Sequence, residues 1–510
     1  MDGGEPRFLK LGQLQNTLWY DRSVQLVRRE DWSARVVHPP DEPSPTIGRT
    51  RQLRLGIVRV LQTRPVLLFA FAFTVMGDPV SSVAYAIEAA LRALHGDLVL
   101  LLPTMLVVVG IITVVIANYH RLLERFPGGG DAAAAGMAFG EGWAFLPLGS
   151  LIVDYALTIA ISVAAAASAI IAYLPGAAGV RVPLALGLLV VVAGLTWFGH
   201  TGRSLFALMT VSFVVMGSIV IVVGLLDPAG TGHAPLTAPG DHRSPPLAVL
   251  LAFPVAMALA TGVEAPSSAV AQLGQLDRRG KVHFGRVTLW MTLLVVAWLT
   301  LGLTVLALRL HVGIPPADST QTAQLAKAAV GDSFLFGAFQ LASAVLLLAA
   351  ASSSFQAGPG LLKALSSAPG GVGILPRSLG HANTHHTPYW GVVAFLSVAG
   401  VIVVAAGAHE QELVLFYAVA VFLAFLFGLS AMARFARRER TGRYLALSVT
   451  GIVAVTVTLV VNLGRIYPLA SLFAAMTIAV ALHHLWIRAG RPSGASQAEE
   501  LAERDLAVTD

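Results

Sequence analysis

Twelve stretches of this chain are apolar for long enough to cross the roughly 30 Å hydrocarbon core of a bilayer as helices, and that repetition limits the fold more than any other feature. They lie near residues 66–94, 98–119, 142–173, 183–199, 204–226, 246–272, 287–310, 332–364, 389–406, 411–433, 444–462 and 467–487. The runs are continuous and rich in Leu, Val and Ala instead of alternating apolar with polar, which argues against an outer-membrane β-barrel. Only 12% of the 510 residues are charged, against about a quarter in soluble domains. A soluble enzyme, a disordered chain and a fibre are excluded. The reading is an all-α integral membrane protein with the lipid bilayer as its main partner.

Twelve crossings put both termini on one side, and 28 of the 34 Lys and Arg fall on that side. This bias predicts cytoplasmic termini and a place in the cell (plasma or inner) membrane. The net charge of +6 is read as topology, not as a nucleic-acid surface, because no basic patch interleaves with stacking aromatics. The chain has no cysteine, so disulfides, thiolate metal sites and cysteine nucleophiles do not arise. Residues 1–64 read as a cytoplasmic N-terminal arm, partly disordered, with Pro39, Pro40, Pro43 and Pro45. Its Arg49–Leu61 alternation of basic and apolar residues would also suit anionic headgroups. The arm lacks the short basic region and apolar core of a cleavable signal. Residues 65–490 form the twelve-helix domain, and residues 491–510, with Glu499, Glu500, Glu503 and Asp505, read as a solvated cytoplasmic tail.

Two of the apolar stretches are interrupted alike. The first contains Met76-Gly77-Asp78-Pro79 and the sixth Ala260-Thr261-Gly262-Val263-Glu264-Ala265-Pro266, each with glycine and proline beside an acid. Five helices separate the start of one from the start of the other. Paired breaks at corresponding places in two halves point to an inverted-repeat transporter with its site at the broken helices. The expected repeats are 66–226 and 246–433, with the helices of 444–487 added.

Three acids, Asp78, Asp154 and Glu264, lie deep in apolar sequence with no Lys or Arg within four residues. Each would cost about 2.5–3.5 kcal/mol at a helix centre facing lipid, so such residues usually line a pathway or a site. Helical spacing gives each acid an oxygen stripe: Asp78 with Ser82 and Tyr85, Asp154 with Thr158, and Glu264 with Thr261 and Ser268. Carboxylates, hydroxyls and the free carbonyls of an unwound turn are hard ligands for alkali cations and protons. Acids sharing a cavity raise one another's proton affinity, so a proton and a monovalent cation can compete for it. Glu264, just past the second break, is the expected proton-coupling residue.

The segment Gly77-Asp78-Pro79-Val80-Ser81-Ser82-Val83-Ala84-Tyr85-Ala86 resembles the helix 1 signature of the Kup/KimA-type potassium uptake permeases of the amino acid–polyamine–organocation (APC) superfamily. Four further pieces agree in order: Pro127-Gly128-Gly129-Gly130, Asp154-Tyr155-Ala156-Leu157-Thr158, Thr261-Gly262-Val263-Glu264-Ala265, and Leu415-Phe416-Tyr417-Ala418-Val419 leading into Val421-Phe422-Leu423. The resemblance covers about residues 60–490 and implies a LeuT-like fold, with a 5+5 inverted repeat plus two helices. It also implies that Asp78, Tyr85, Asp154, Thr158, Thr261, Glu264 and Tyr417 line a potassium site. No cofactor and no transition metal are implied beyond transported potassium and protons. At helix 8 the likeness lapses, because Ala351-Ser352-Ser353-Ser354-Phe355-Gln356-Ala357-Gly358-Pro359 stands where relatives read Asn-Thr-Ser-Phe-Ala-Asp-Phe-Pro-Arg. Some relatives carry a large C-terminal domain for dimerisation. The tail here is too short for one, and a homodimer stays open.

The expected function is uptake of a monovalent cation, potassium first, by proton symport with alternating access. An amino-acid or amine permease of the same superfamily is the alternative, since Thr-Gly-Val-Glu and the glycine-rich loop occur there too. Three acids in one pocket would repel the carboxylate of a zwitterion. A sensor or a membrane enzyme is a remote alternative. An aspartyl protease would need flanking motifs that Asp78 and Asp154 lack, and His381, His385 and His386 sit in a glycine- and proline-rich loop read as solvated.

Overall fold

In hydrocarbon a backbone N–H or C=O finds no water, so an apolar stretch pairs these groups within itself and forms a helix. The computed structural model describes residues 64–198, 203–237 and 243–508, and the reading of the N-terminal arm lies outside them. The helices run in chain order as α1 Arg64–Val75, α2 Gly77–Ser81, α3 Val83–Ala93, α4 Leu98–Arg125, α5 Gly130–Phe139, α6 Phe145–Tyr173, α7 Arg181–Trp197, α8 Arg203–Leu226 and α9 Pro245–Ala256. They continue as α10 Ala265–Ala269, α11 Arg278–Leu310, α12 Gln321–Val330, α13 Phe334–Leu365, α14 Tyr389–Ala405, α15 Glu410–Arg438, α16 Gly442–Leu463, α17 Ile466–Arg488 and α18 Ala498–Val508. Among the described residues ten helical runs are long and apolar enough to cross a membrane, and α1 and α14 are shorter apolar helices.

Polar caps fix several starts. Asp97 accepts from the Leu100 N–H at 3.1 Å before α4, Asp277 from Gly280 at 3.0 Å before α11, and Thr320 from Ala323 at 3.2 Å before α12. The deepest of the spans is α6, which carries Asp154 and packs against α13, α15 and α17.

The two expected breaks differ. At the first, Met76 and Ser82 keep helical angles and the Val80 N–H still reaches the Met76 carbonyl at 3.0 Å, so α1, α2 and α3 follow one another as a kinked rod. Proline at 79 removes one donor, and that alone accounts for a bend. The second break is complete. Thr261 is extended (φ −66°, ψ 139°), Gly262 turns left-handed at φ 71°, and the chain becomes helical again only at Ala265.

The tail reading needs correction. Residues 498–508 form a helix whose Ala498, Glu499, Ala502 and Glu503 are buried. Their spacing places two small residues and two acids on one face, and that face docks on α13 and α5.

Candidate functional site

Asp78 enters from α2, Asp154 from α6 and Glu264 from the turn before α10, and all three line one cavity of about 110 Å³. The second break brings them close. Only glycine suits position 262, because its φ is 71° and an added Cβ would stand 2.7 Å from Asp78 Oδ2 and 3.0 Å from Pro79 Cδ. Asp154, Asp78 and Asp131 all lie within Coulomb reach of Glu264.

The remaining expected residues are placed unevenly. Tyr85 is buried, with its hydroxyl 3.0 Å from Ser82 Oγ, and Thr158 is buried one turn beyond Asp154. Thr261 turns its hydroxyl away, donating to the Ala258 carbonyl at 2.7 Å. None of these three lines the cavity. The Tyr417 side chain lies outside the described residues. Nor do the acids form one coordination sphere: among the described residues no three His, Cys, Asp or Glu side chains stand close enough to hold one metal ion.

Sequence reasoning missed part of the lining. Ser353, Ser354 and Gln356 of α13 face the cavity, so the helix where the family likeness lapses contributes oxygens of its own. Thr210 of α8, Gln272, and Glu499 and Glu503 of α18 join them. A polar run inside the apolar α13 was the available signal, whereas nothing local to α18 indicates that it folds back here.

A second acid layer lies beneath. The Tyr119 hydroxyl donates to Asp131 Oδ2 at 2.5 Å, and the Glu499 carboxylate lies against Gly130 near the Ala132 N–H and Ser268, whose hydroxyl donates to the Ala265 carbonyl at 3.2 Å. Burial pushes the Glu499 carboxyl well above the usual carboxylate range, and the charges of Asp131 and Glu503 add to it. Burial also lifts Asp131, to about 7, against the hydrogen bond from Tyr119. The glycine-rich loop is tied to the broken helix here: the Gly128 N–H donates to the Ser267 carbonyl at 3.0 Å, with Gly128 left-handed at φ 99°.

The opposite end of the bundle is latched. It lies about 21 Å along α6 from the cavity, the rise from Asp154 to Ser168 at about 1.5 Å per residue. Glu88 of α3 accepts from Arg92 Nε at 2.8 Å and from the Gln321 N–H of α12 at 3.0 Å. Ser168 donates to Glu410 Oε2 at 2.6 Å and accepts from Arg181 Nη1 at 2.5 Å, while Arg181 Nη2 reaches the Ala317 carbonyl.

Residues 66–487 match the family model described as amino acid permease. The chain is 29% identical over 373 residues to the potassium transporter KimA of Bacillus subtilis (strain 168), covering 70% of this chain and 59% of that protein, less than two thirds of its length. A solved structure of a mutant manganese transporter from Eremococcus coleocola aligns with TM-score 0.48 and 15% identity, over 83% of this chain and 94% of that one.

Proposed function

Because the chain belongs to the amino acid permease family, we propose that this membrane transporter takes up a small monovalent cation, potassium first, with a proton, by alternating access. One observation carries the reading. The cavity is lined by five acids, Asp78, Asp154, Glu264, Glu499 and Glu503, with no Lys or Arg among its lining residues. Its volume of about 110 Å³ suits an ion with a few waters and lies well under the ~300–1,000 Å³ of sites for larger organic ligands. The likeness to a potassium transporter supports the same cation.

A bound ion takes a subset of these oxygens. Asp78 and Asp154 supply charge, the carbonyls freed around Gly262 supply neutral ligands, and water completes the shell, since the three carboxylates do not share one sphere. Tyr85, Thr158, Thr261 and Tyr417 enter as a ring that closes when the bundle moves. Glu264, beside the complete break, exchanges the proton. The fold that goes with this function is LeuT-like, with twelve crossings, a 5+5 inverted repeat and two added helices, both termini cytoplasmic in the cell membrane. The latched end is then the outer end, and Glu88 and Glu410 hold it shut. No cofactor is needed, and a homodimer is compatible with the design.

The second reading is an amino acid or amine, favoured by the description of the family. Five acids without a base would hold an ammonium group but repel a carboxylate. Vesicles reconstituted with the full chain and given an inward pH gradient separate the two. Uptake of labelled rubidium that stops when the gradient is collapsed is expected. Uptake of amino acids with no rubidium flux would overturn the cation reading.

A further inference from the structure

We propose that α18 is a built-in plug: docked as it is, it closes the mouth of the acidic cavity and has to swing away for the cavity to open on that side. The observation is one of placement. Glu499, Glu503 and Leu506 of α18 share the cavity wall with Asp78, Asp154 and Glu264. The helix is therefore a floor to the site and not a bystander on the surface.

Its fastenings join it to elements on several sides of the opening. Gln272 Nε2 donates to Glu503 Oε2 at 2.6 Å, Lys363 of α13 pairs with Asp505 at 3.2 Å, and the N–H and hydroxyl of Ser496 both reach the Glu141 carboxylate at 2.9 Å. On the buried face Ala498 and Ala502 pack closely, Ala502 against Gly360 of α13. These attachments are a few polar contacts, two alanines and the part-buried Leu501, with no aromatic side chain on the helix, and the Lys363–Asp505 pair is partly open to water. A contact of that kind holds and lets go.

The link to α17 is built to bend. Gly490 at φ 83° and Gly494 at φ 98° bracket it, both with open space where a side chain would be, and Arg491 between them is also left-handed at φ 57°. Trp486 Nε1 donates to the Pro492 carbonyl at 2.9 Å and pins the near end, so the motion is a swing about Gly494.

As a plug of a transport pathway, α18 rests on the transporter reading above, but its effect on access to the cavity does not depend on which solute passes. A cysteine-free chain allows both to be tested. An added Cβ at Gly360 would stand 3.8 Å from the Ala502 Cβ, the separation found in disulfides. In full-length protein reconstituted in vesicles, Gly360→Cys with Ala502→Cys should lose rubidium flux on oxidation and regain it on reduction. Separately, Ala502→Arg should undock the helix. A reporter Ala349→Cys in the cavity wall should then react with a membrane-impermeant thiol reagent about tenfold faster, the factor that about 1.4 kcal/mol of docking energy carries. Reporter labelling unchanged by Ala502→Arg, in protein that elutes and melts like the parent, overturns the plug. If no form carries rubidium yet labelling rises, the plug stands and the cation reading falls.

Discussion

The α-carbon of Gly262 lies against the Asp78 carboxyl group so closely that a methyl there would stand 2.7 Å from Oδ2. The two interrupted segments, far apart in sequence, therefore meet at one residue without a side chain. Gly262→Ala should cost about 1–2 kcal/mol from the left-handed backbone alone and push Asp78 out of place as well. Thermal unfolding in detergent and rubidium uptake should both fall. A variant that melts and transports like the parent would show that the contact is dispensable.

Asp154→Asn keeps the shape of the buried site on α6 and removes its charge. Rubidium uptake should drop at least about tenfold, equivalent to about 1.4 kcal/mol of lost cation stabilisation, while expression and melting change little. Full uptake by the variant would remove Asp154 from the ion's path.

Glu264→Gln should uncouple uptake from the proton gradient. Flux driven by membrane potential should persist, whereas its dependence on outside pH should flatten. An unaltered pH profile would assign the proton to another carboxyl group.

At the latched end, Ser168 bridges Glu410 and Arg181, which otherwise stand 3.8 Å apart. Ser168→Ala removes hydrogen bonds to charged groups worth roughly 1.5–3 kcal/mol, so that end should open more often. A cysteine placed at Ala84 should be labelled faster from outside; no change in its rate would mean that the bridge is not what holds the end shut.

Docking of α18 should weaken as pH rises. Burial and the neighbouring Asp131 and Glu503 charges raise the proton affinity of Glu499 in the docked helix, so the docked state binds a proton that the released state gives up. The favourable contribution is intact below the ordinary carboxylate range and is lost as pH climbs through the raised range of the docked Glu499 carboxyl. Hydrogen exchange of residues 498–508, corrected for its intrinsic rate, should show less protection at about pH 8 than at about pH 5. Constant or increasing protection would contradict this, and Glu499→Gln should shrink the difference.

Much of this was legible in the sequence for definite reasons. Among the described residues the apolar stretches are helical apart from the turn at 261–264, as the hydrocarbon requires, and Asp78, Asp154 and Glu264, acids with no Lys or Arg within four residues, share a cavity. The first break was over-read: a Gly-Asp-Pro run signals a bend, and the hydrogen bonds on either side decided how far it went. Thr261 followed helical spacing in a place where the helix had ended, so its hydroxyl points back to Ala258. The role of α18 was invisible because its acids resemble a solvated tail until Gly130, Ser268 and Gln272 are seen around them.

The hydrogen bond between Gly128 and Ser267 has a consequence for how such a machine keeps time. It joins the half-helix beside the acidic cavity to the strap of backbone that leads into Asp131 and the bed of α18. Tilting that half-helix drags the strap along, or breaks a bond in a place where water is scarce. If α18 is the plug proposed above, cavity and floor are geared to one another, and the floor cannot drop away without notice reaching the chamber above.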